Sequence, residues 1–369
     1  MDKNLIKSPT LLLDPKKCER NIKKMASKAK SHRLDFRPHF KTHQSAQIGE
    51  WIRAEGVNRC TVSSVKMAQY FADQGWDDIL IAFPVNPLEH EAINNLAKKI
   101  SLSILIYSLE PLKMLEKKLD AKVGVKIELD LGSRRSGLLP GQYDEIDEIL
   151  SYLQSSDKFH FNGFYSHPGH TYLARSAEEV RKIYGDFLSD LEVLETKYET
   201  VDGFSITIGD TPGCTIIEDF GPVREISPGN FVFYDVMQVN IGSCSYDDVA
   251  VVMACPVVGK NPERNELLIH GGAVHFSKEI LIDSEGTSHF GKLAQITEKG
   301  WHGVVPGCRL KSISQEHGLV HATTHLLEKT SIGDILYIYP AHSCLTANLM
   351  KSFLTTENEV LSGESAFMP

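Results

Sequence analysis

Five short segments concentrate the side chains able to do chemistry. RPHFKTHQ, residues 37–44, sets Lys41 among Arg37, His39 and His43. Cationic neighbours lower the pKa of an amine, and an uncharged amine attacks aldehydes near neutral pH. IELDLGSRRSGL places Asp130, Gly132, Arg135 and Gly137 in a D-x-G-x-x-R-x-G pattern, with Arg134 as a second guanidinium beside it. FYSHPGHTY brings Tyr165, His167, His170 and Tyr172 together, and planar side chains of this kind stack on flat heteroaromatic rings. SITIGDTPG, with Ser205, Gly209, Thr211 and Pro212, is a turn whose hydroxyls and backbone N–H groups suit a phosphate. His342 and Cys344 stand two residues apart. In an extended segment they face one way, and imidazole with thiolate suits Zn²⁺. Taken singly, the same patterns also fit a solvated lysine after a strand, a surface turn with two arginines, and a buried thiol beside an unrelated histidine.

These groups need elements to position them. Asp14-Pro15 reads as an N-cap and first helical residue, followed by Ile22, Met25, Ala26 and Ala29 on one helical face. Strand-like runs follow at 34–40, 60–64, 78–83, 101–107, 123–130, 161–167, 204–208 and 230–234. Helical patterns occupy most gaps, as at 45–54, 64–72, 87–98 and 177–197. Eight such alternations predict a parallel (β/α)8 TIM-type barrel, with an open doubly wound sheet as the alternative. Lys41 then lies at the carboxyl end of the first strand, the end where barrel active sites gather. After about Val236 the helical periodicity fades, and residues 247–367 read as mainly β. The expected division is a barrel over 15–235 and a mainly-β domain from 236–369 plus 1–14, the run Thr10–Leu13 joining the latter.

Composition removes several classes. The chain has 369 residues and a net charge of -9, with Lys and Arg scattered, which argues against a nucleic-acid partner. No run approaches the roughly 18 apolar residues of a membrane span. The N-terminal apolar run is too short for a signal peptide. Seven cysteines, an odd number without a C-x-x-C pair, predict a reducing, cytoplasmic setting over a disulfide framework.

TLLLD followed by RPHFKTH resembles the start of fold-type III pyridoxal-phosphate enzymes, more narrowly the D-threonine aldolase and D-serine dehydratase group with its alanine-racemase-like N-terminal domain. The later motifs recur in the same order, so the resemblance covers almost the whole chain. It implies that Lys41 holds pyridoxal 5'-phosphate as a Schiff base. It further implies that Arg135, Tyr165, His167 and Tyr172 lie beside the cofactor, and that Ser205, Gly209, Thr211, Gly229 and Asn230 serve its phosphate. Asp210 departs from the usual small-residue spelling of that loop, and its carboxylate is expected to point away from a phosphate. His342 and Cys344 would hold a divalent metal, zinc favoured and manganese the alternative, with Glu316 and His317 matching a supporting E-H-G signature. The H-x-C spelling sides with the dehydratases, whereas the aldolases have H-x-D. The expected activity is therefore elimination from a D-β-hydroxy amino acid to a 2-oxo acid and ammonia. A retro-aldol lyase, an amino-acid racemase and a non-enzymatic cofactor-binding protein are the alternatives. The resemblance also implies a homodimer.

Overall fold

The computed structural model describes residues 3–297 and 300–363. Its strands run β1 (Thr10–Leu13), β2 (Asp35–Phe36), β3 (Cys60–Val62), β4 (Asp78–Pro84), β5 (Ser101–Ile106), β6 (Val123–Glu128), β7 (Phe159–Ser166), β8 (Ile206–Ile208) and β9 (Glu225–Ile226). The remainder are β10 (Val251–Asn261), β11 (Glu266–His270), β12 (Leu281–Ile282), β13 (Ser288–His289), β14 (Gly291–Thr297), β15 (Gly300–Ile313), β16 (His317–His321), β17 (Ile335–Pro340), β18 (Ser352–Thr355) and β19 (Val360–Ser362). Contacts divide the chain into two units. One comprises Lys24–Lys41 and Gly49–Gly229; the other comprises Met1–Lys23, Thr42–Ile48 and Asn230–Pro369.

The first unit is a parallel sheet in the order β2-β9-β8-β7-β6-β5-β4-β3, with helices in the connections. Its seam between β2 and β3 is closed by the segment that follows β2. His39 bridges Thr61 in parallel register, with Phe40 N–H donating to the Thr61 carbonyl at 2.8 Å and Thr61 N–H to Pro38 at 2.9 Å. On its other edge the segment bonds the β9 strand line, Arg37 N–H to Ile226 at 3.0 Å and His39 N–H to Pro228 at 2.9 Å. The sheet is thus a closed barrel, as the alternation of elements predicts.

The last barrel strand is not where the sequence pattern puts it. Residues 230–234 turn instead as a 3₁₀ helix over Asn230–Val232, with Phe233 and Tyr234 N–H groups both bonding the Asn230 carbonyl. Phe231, Val232 and Phe233 are all buried, so their apolarity carries no strand alternation. The strand is Glu225–Ile226, two residues long and opened by a charge. That charge belongs to a buried ion cluster at the amino end of the barrel. Glu225 accepts from Arg37 Nε at 2.8 Å and Thr207 Oγ1 at 2.9 Å, and lies 3.2 Å from Lys126 Nζ. Arg37 also pairs with Asp78 at 2.7 Å. Burial alone would push the Glu225 carboxyl up, but Lys126 and Arg37 outweigh it and hold it down at about 2.

In the second unit β10 pairs with both β11 and β17, so the order β11-β16-β15-β14-β17 returns to β10 and closes a small antiparallel barrel. β1 joins it as expected, antiparallel to β10 in the register Thr10↔Ala254, and β18 and β19 extend the sheet beyond β1. The mainly-β reading holds up to Gly363; its stated end, Phe367, lies outside the described residues. Asp14 caps the first helix by accepting from Lys17 N–H, as its position before Pro15 predicts. Among the described residues no helix is long and apolar enough to cross a membrane.

Removing one member of a buried ion cluster strands the others without a counter-charge. Glu225→Gln is expected to lower stability by about 3–5 kcal/mol, read from the urea midpoint at neutral pH. A loss under 1 kcal/mol would mean that the cluster does not hold the closing strand.

Candidate active site

Lys41 follows the closing bridge directly and is the last residue of its stretch of the barrel unit. Its backbone N–H donates to His39 Nδ1 at 3.4 Å. The expected cationic surroundings are only partly present. Arg37 points to the opposite end of the barrel, where Glu225 and Asp78 neutralise it. His43 is buried and pushed down to about 3 by that burial, so it carries no charge. Arg37 is thus engaged at the other end and His43 is neutral, so neither is the cationic neighbour that the sequence reading expects.

The carboxyl ends of β6, β7 and β8 bring several predicted residues together. Tyr165 is buried in the barrel, packed against Leu80 and Leu105. A Cβ at Gly209 would come within 2.5 Å of its hydroxyl, so only glycine permits this approach. His167 Nδ1 lies 3.0 Å from the Gly209 carbonyl. A carbonyl only accepts, so Nδ1 carries the proton and Nε2 keeps a bare lone pair. Burial, then Lys41 and Arg135, push His167 down to about 3 and keep it neutral. The His167 and Tyr172 rings lie 5.8 Å apart, and Tyr172 hydroxyl accepts from Thr211 N–H at 3.2 Å. Arg135 is exposed, 3.7 Å from the buried Glu128 carboxylate. Asp130 braces that loop by accepting from the Gly132 and Arg134 N–H groups. Gly132 in turn packs against the His170 ring.

Thr211 opens the helix Thr211–Ile216, is fully buried, and its Oγ1 has no partner among the described residues. That orphaned hydroxyl suits a phosphate oxygen, whereas the Gly209 N–H is engaged by the Ser166 carbonyl at 2.9 Å and does not serve one, contrary to the expectation for Gly209. Asp210 is turned into the helix start, its carboxylate accepting from Gly213 N–H at 2.7 Å and from Thr171 hydroxyl at 2.8 Å. Ser205 does not join this group. It precedes β8 at the strand's amino end, and its backbone carbonyl bonds Phe164 N–H at 2.7 Å. The expectation that Ser205 serves a phosphate fails because a parallel strand separates its two ends onto opposite rims.

In the second unit the His342–Cys344 pair converges, though not on an extended segment. His342 is the N-cap residue of the helix Ser343–Met350, and Cys344 is its second residue. The two side chains lie close enough to couple electrostatically. Burial alone would lower His342 and raise Cys344. Their mutual interaction outweighs this, moving the imidazole up to about 9 and the thiol below its ordinary range. Around the sulfur stand residues that sequence reading missed or misassigned. Thr42 Oγ1 lies 3.2 Å from Cys344 Sγ, and Asn230 Nδ2 lies 3.3 Å from it. The Asn230 amide nitrogen donates one hydrogen to Asp235 at 2.7 Å, and its other faces both Ser343 Oγ at 3.1 Å and the sulfur, so the group is committed here and not to a phosphate. Asp235 caps the helix Val236–Ile241 by accepting from Gln238 N–H and also accepts from Ser343 N–H at 2.9 Å. The Asp-x-x-Gln spacing ahead of an apolar run was the available signal for that cap.

Glu316 faces two other imidazoles, its carboxylate 3.6 Å from His270 Nε2 and 3.7 Å from His275 Nε2. His275 Nδ1 accepts from Gly272 N–H. In its neutral form its Nε2 therefore holds the proton and faces Glu316 as a donor, not as a metal ligand. His317 is exposed on β16.

Burial raises Asp210 to about 6, against 3.8 as its ordinary value. Folding then penalises the ionised form fully above pH 6, and the penalty disappears below about pH 4. Measured against Asp210→Asn, which keeps the cap, the protein should gain up to about 3 kcal/mol as pH falls from 8 to 4. Parallel urea-stability curves for the two proteins over that range would refute the assignment.

Residues 13–219 match the alanine racemase N-terminal domain family, and residues 250–356 a putative serine dehydratase domain. The chain is 28% identical to a D-serine dehydratase of Dictyostelium discoideum, over 98% of this chain and 96% of that protein. A D-threo-3-hydroxyaspartate dehydratase mutant in its metal-free form shares the fold with a TM-score of 0.87 at 21% identity, covering 97% of each chain. A D-threonine aldolase from Filomicrobium marinum superposes with a TM-score of 0.83 at 21% identity, covering 98% of this chain and 95% of that one.

Proposed function

The chain belongs to the alanine racemase N-terminal domain family, and from that premise we propose a pyridoxal-phosphate- and metal-dependent lyase of the D-serine dehydratase type. Its substrate is a D-β-hydroxy amino acid, D-serine foremost, and its products are a 2-oxo acid and ammonia. The observation that carries the reading is the convergence of His342 and Cys344 at one helix start, where the named aldolases of the resemblance have aspartate in place of the cysteine. The named D-serine dehydratase relative, matched end to end, supports the same reading.

The residues present fit the two groups the activity requires. Lys41 would hold the cofactor covalently, Thr211 Oγ1 would take its phosphate, and neutral His167 with Tyr172 would lie along its ring. The cofactor supplies an electron sink for the α-carbon. His342 and Cys344 would hold zinc, which supplies a Lewis acid for the leaving β-hydroxyl. Lys41 Nζ takes the proton from the substrate α-carbon. Arg135 contributes fixed positive charge at the rim, and His167 Nε2 offers an acceptor without adding charge. Lys41 and Thr42 are joined by a peptide bond, so the amine and the sulfur's hydroxyl neighbour are consecutive residues. We extend the proposal to a homodimer in a reducing compartment, which suits seven free cysteines.

Purified protein should convert D-serine to pyruvate and ammonia, and chelator should abolish this. Lys41→Ala should lose the visible absorbance of bound cofactor together with activity. Cys344→Ala should keep the absorbance while turnover falls about a thousandfold, the several kcal/mol of a lost Lewis acid. Glycine and an aldehyde as products would transfer the protein to the retro-aldol reading, and full turnover in chelator would end the metal role.

A further inference from the structure

The sulfur of Cys344 is enclosed by donors in a way that the metal pair alone does not require. Thr42 is fully buried, and its Oγ1 lies 3.2 Å from Sγ. A thiolate carries no proton, so the hydroxyl is the donor whenever the sulfur is ionised or metal-bound. Asn230 Nδ2 approaches from another side at 3.3 Å. Its orientation is fixed, because Asp235 Oδ2 at 2.7 Å can only accept and must face the NH₂ group. Ser343 donates its backbone N–H to the same carboxylate, tying the first residue of the metal helix to Asn230. The Asn230 oxygen, Oδ1, is buried and has no partner among the described residues.

We propose that Thr42 and Asn230 are positioning residues that tune the metal through its sulfur ligand, with Asn230 Oδ1 left to accept from water bound on the metal. This rests on the assignment of Cys344 as a ligand. A thiolate that shares its lone pairs with two donors gives less charge to the ion. The ion then stays a stronger Lewis acid than a bare thiolate would leave it. Outer-shell partners of this kind hold ligands in place, and their loss typically costs about 10–100-fold in metal affinity. Thr42 is the cleaner handle, since threonine and valine share a shape and differ at one buried hydroxyl.

The test uses the full chain, stripped of metal and titrated with Co²⁺ alone. A thiolate ligand gives a sulfur-to-cobalt charge-transfer band, whose energy rises when the sulfur accepts hydrogen bonds. The wild type should show the band and Cys344→Ala should lack it. Thr42→Val should move it to longer wavelength and bind Co²⁺ about 10–100-fold more weakly, while Thr42→Ser restores both. Thr42→Ala, which adds no bulk, provides the same readout if the valine variant does not fold. An unmoved band and unchanged affinity in the Thr42 variants, with the band still lost in Cys344→Ala, would overturn this inference and leave the metal site standing. A wild type with no band, or a band that survives Cys344→Ala, would remove the sulfur ligand itself and the inference with it.

Discussion

One stretch of five residues, 37–41, is asked to do three things at once. It closes the parallel barrel by bonding β9 on one edge and β3 on the other. It sends Arg37 into the ion cluster at the amino end, and it delivers Lys41 at the carboxyl end. A segment hydrogen-bonded on both edges has little freedom in register, and a slip by one residue would reverse every side chain in it. The position of the amine is thereby fixed by backbone pairing, before any contact of its own side chain is considered. A lysine on an unpaired loop would not be held to this degree.

The barrel separates stability from chemistry along the strands. Its amino end holds opposed charges in contact, Arg37, Lys126, Glu225 and Asp78, which neutralise one another and present nothing to a ligand. Its carboxyl end holds groups kept neutral or left open. His167 is uncharged, and Thr211 Oγ1 lacks a partner among the described residues. Such a division is what a parallel barrel allows, because strands pack identically at both ends but only one end receives the βα loops. Arg37 and Ser205 show the consequence for sequence reading. Each lies within a few residues of a functional position, and each belongs to the other end.

Most of the fold was legible because it is written in period. Strand and helix alternation located seven of the eight barrel strands, the first helix cap and the β-rich remainder, including the contribution of Thr10–Leu13. The exception, Glu225–Ile226, is too short for a pattern and begins with a charge that only its buried partners explain. For the candidate site, residue types survived better than geometry. His342 and Cys344 do meet, but across a helix start and not along a strand, since the preceding β17 ends at Pro340. The family resemblance implies a phosphate role for Asn230, which the structure does not give it. Its partners, Asp235, Ser343 and Cys344, include two more than a hundred residues away, and no local pattern encodes those.

A cysteine ligand and an aspartate ligand at the same position differ in more than charge. Carboxylate oxygens are hard donors that readily accept several hydrogen bonds, whereas a thiolate is soft and gives more charge to the ion. Replacing one by the other would ordinarily leave a less acidic metal. With Cys344 as the proposed ligand, buried donors around the sulfur would offset that difference without changing the ligand. Here they come from Thr42, next in the chain to the amine, and from Asn230, held by the cap of the helix that follows it. The spelling H-x-C therefore cannot be read alone. Its meaning depends on what surrounds the sulfur, and in this chain Thr42 and Asn230 stand there.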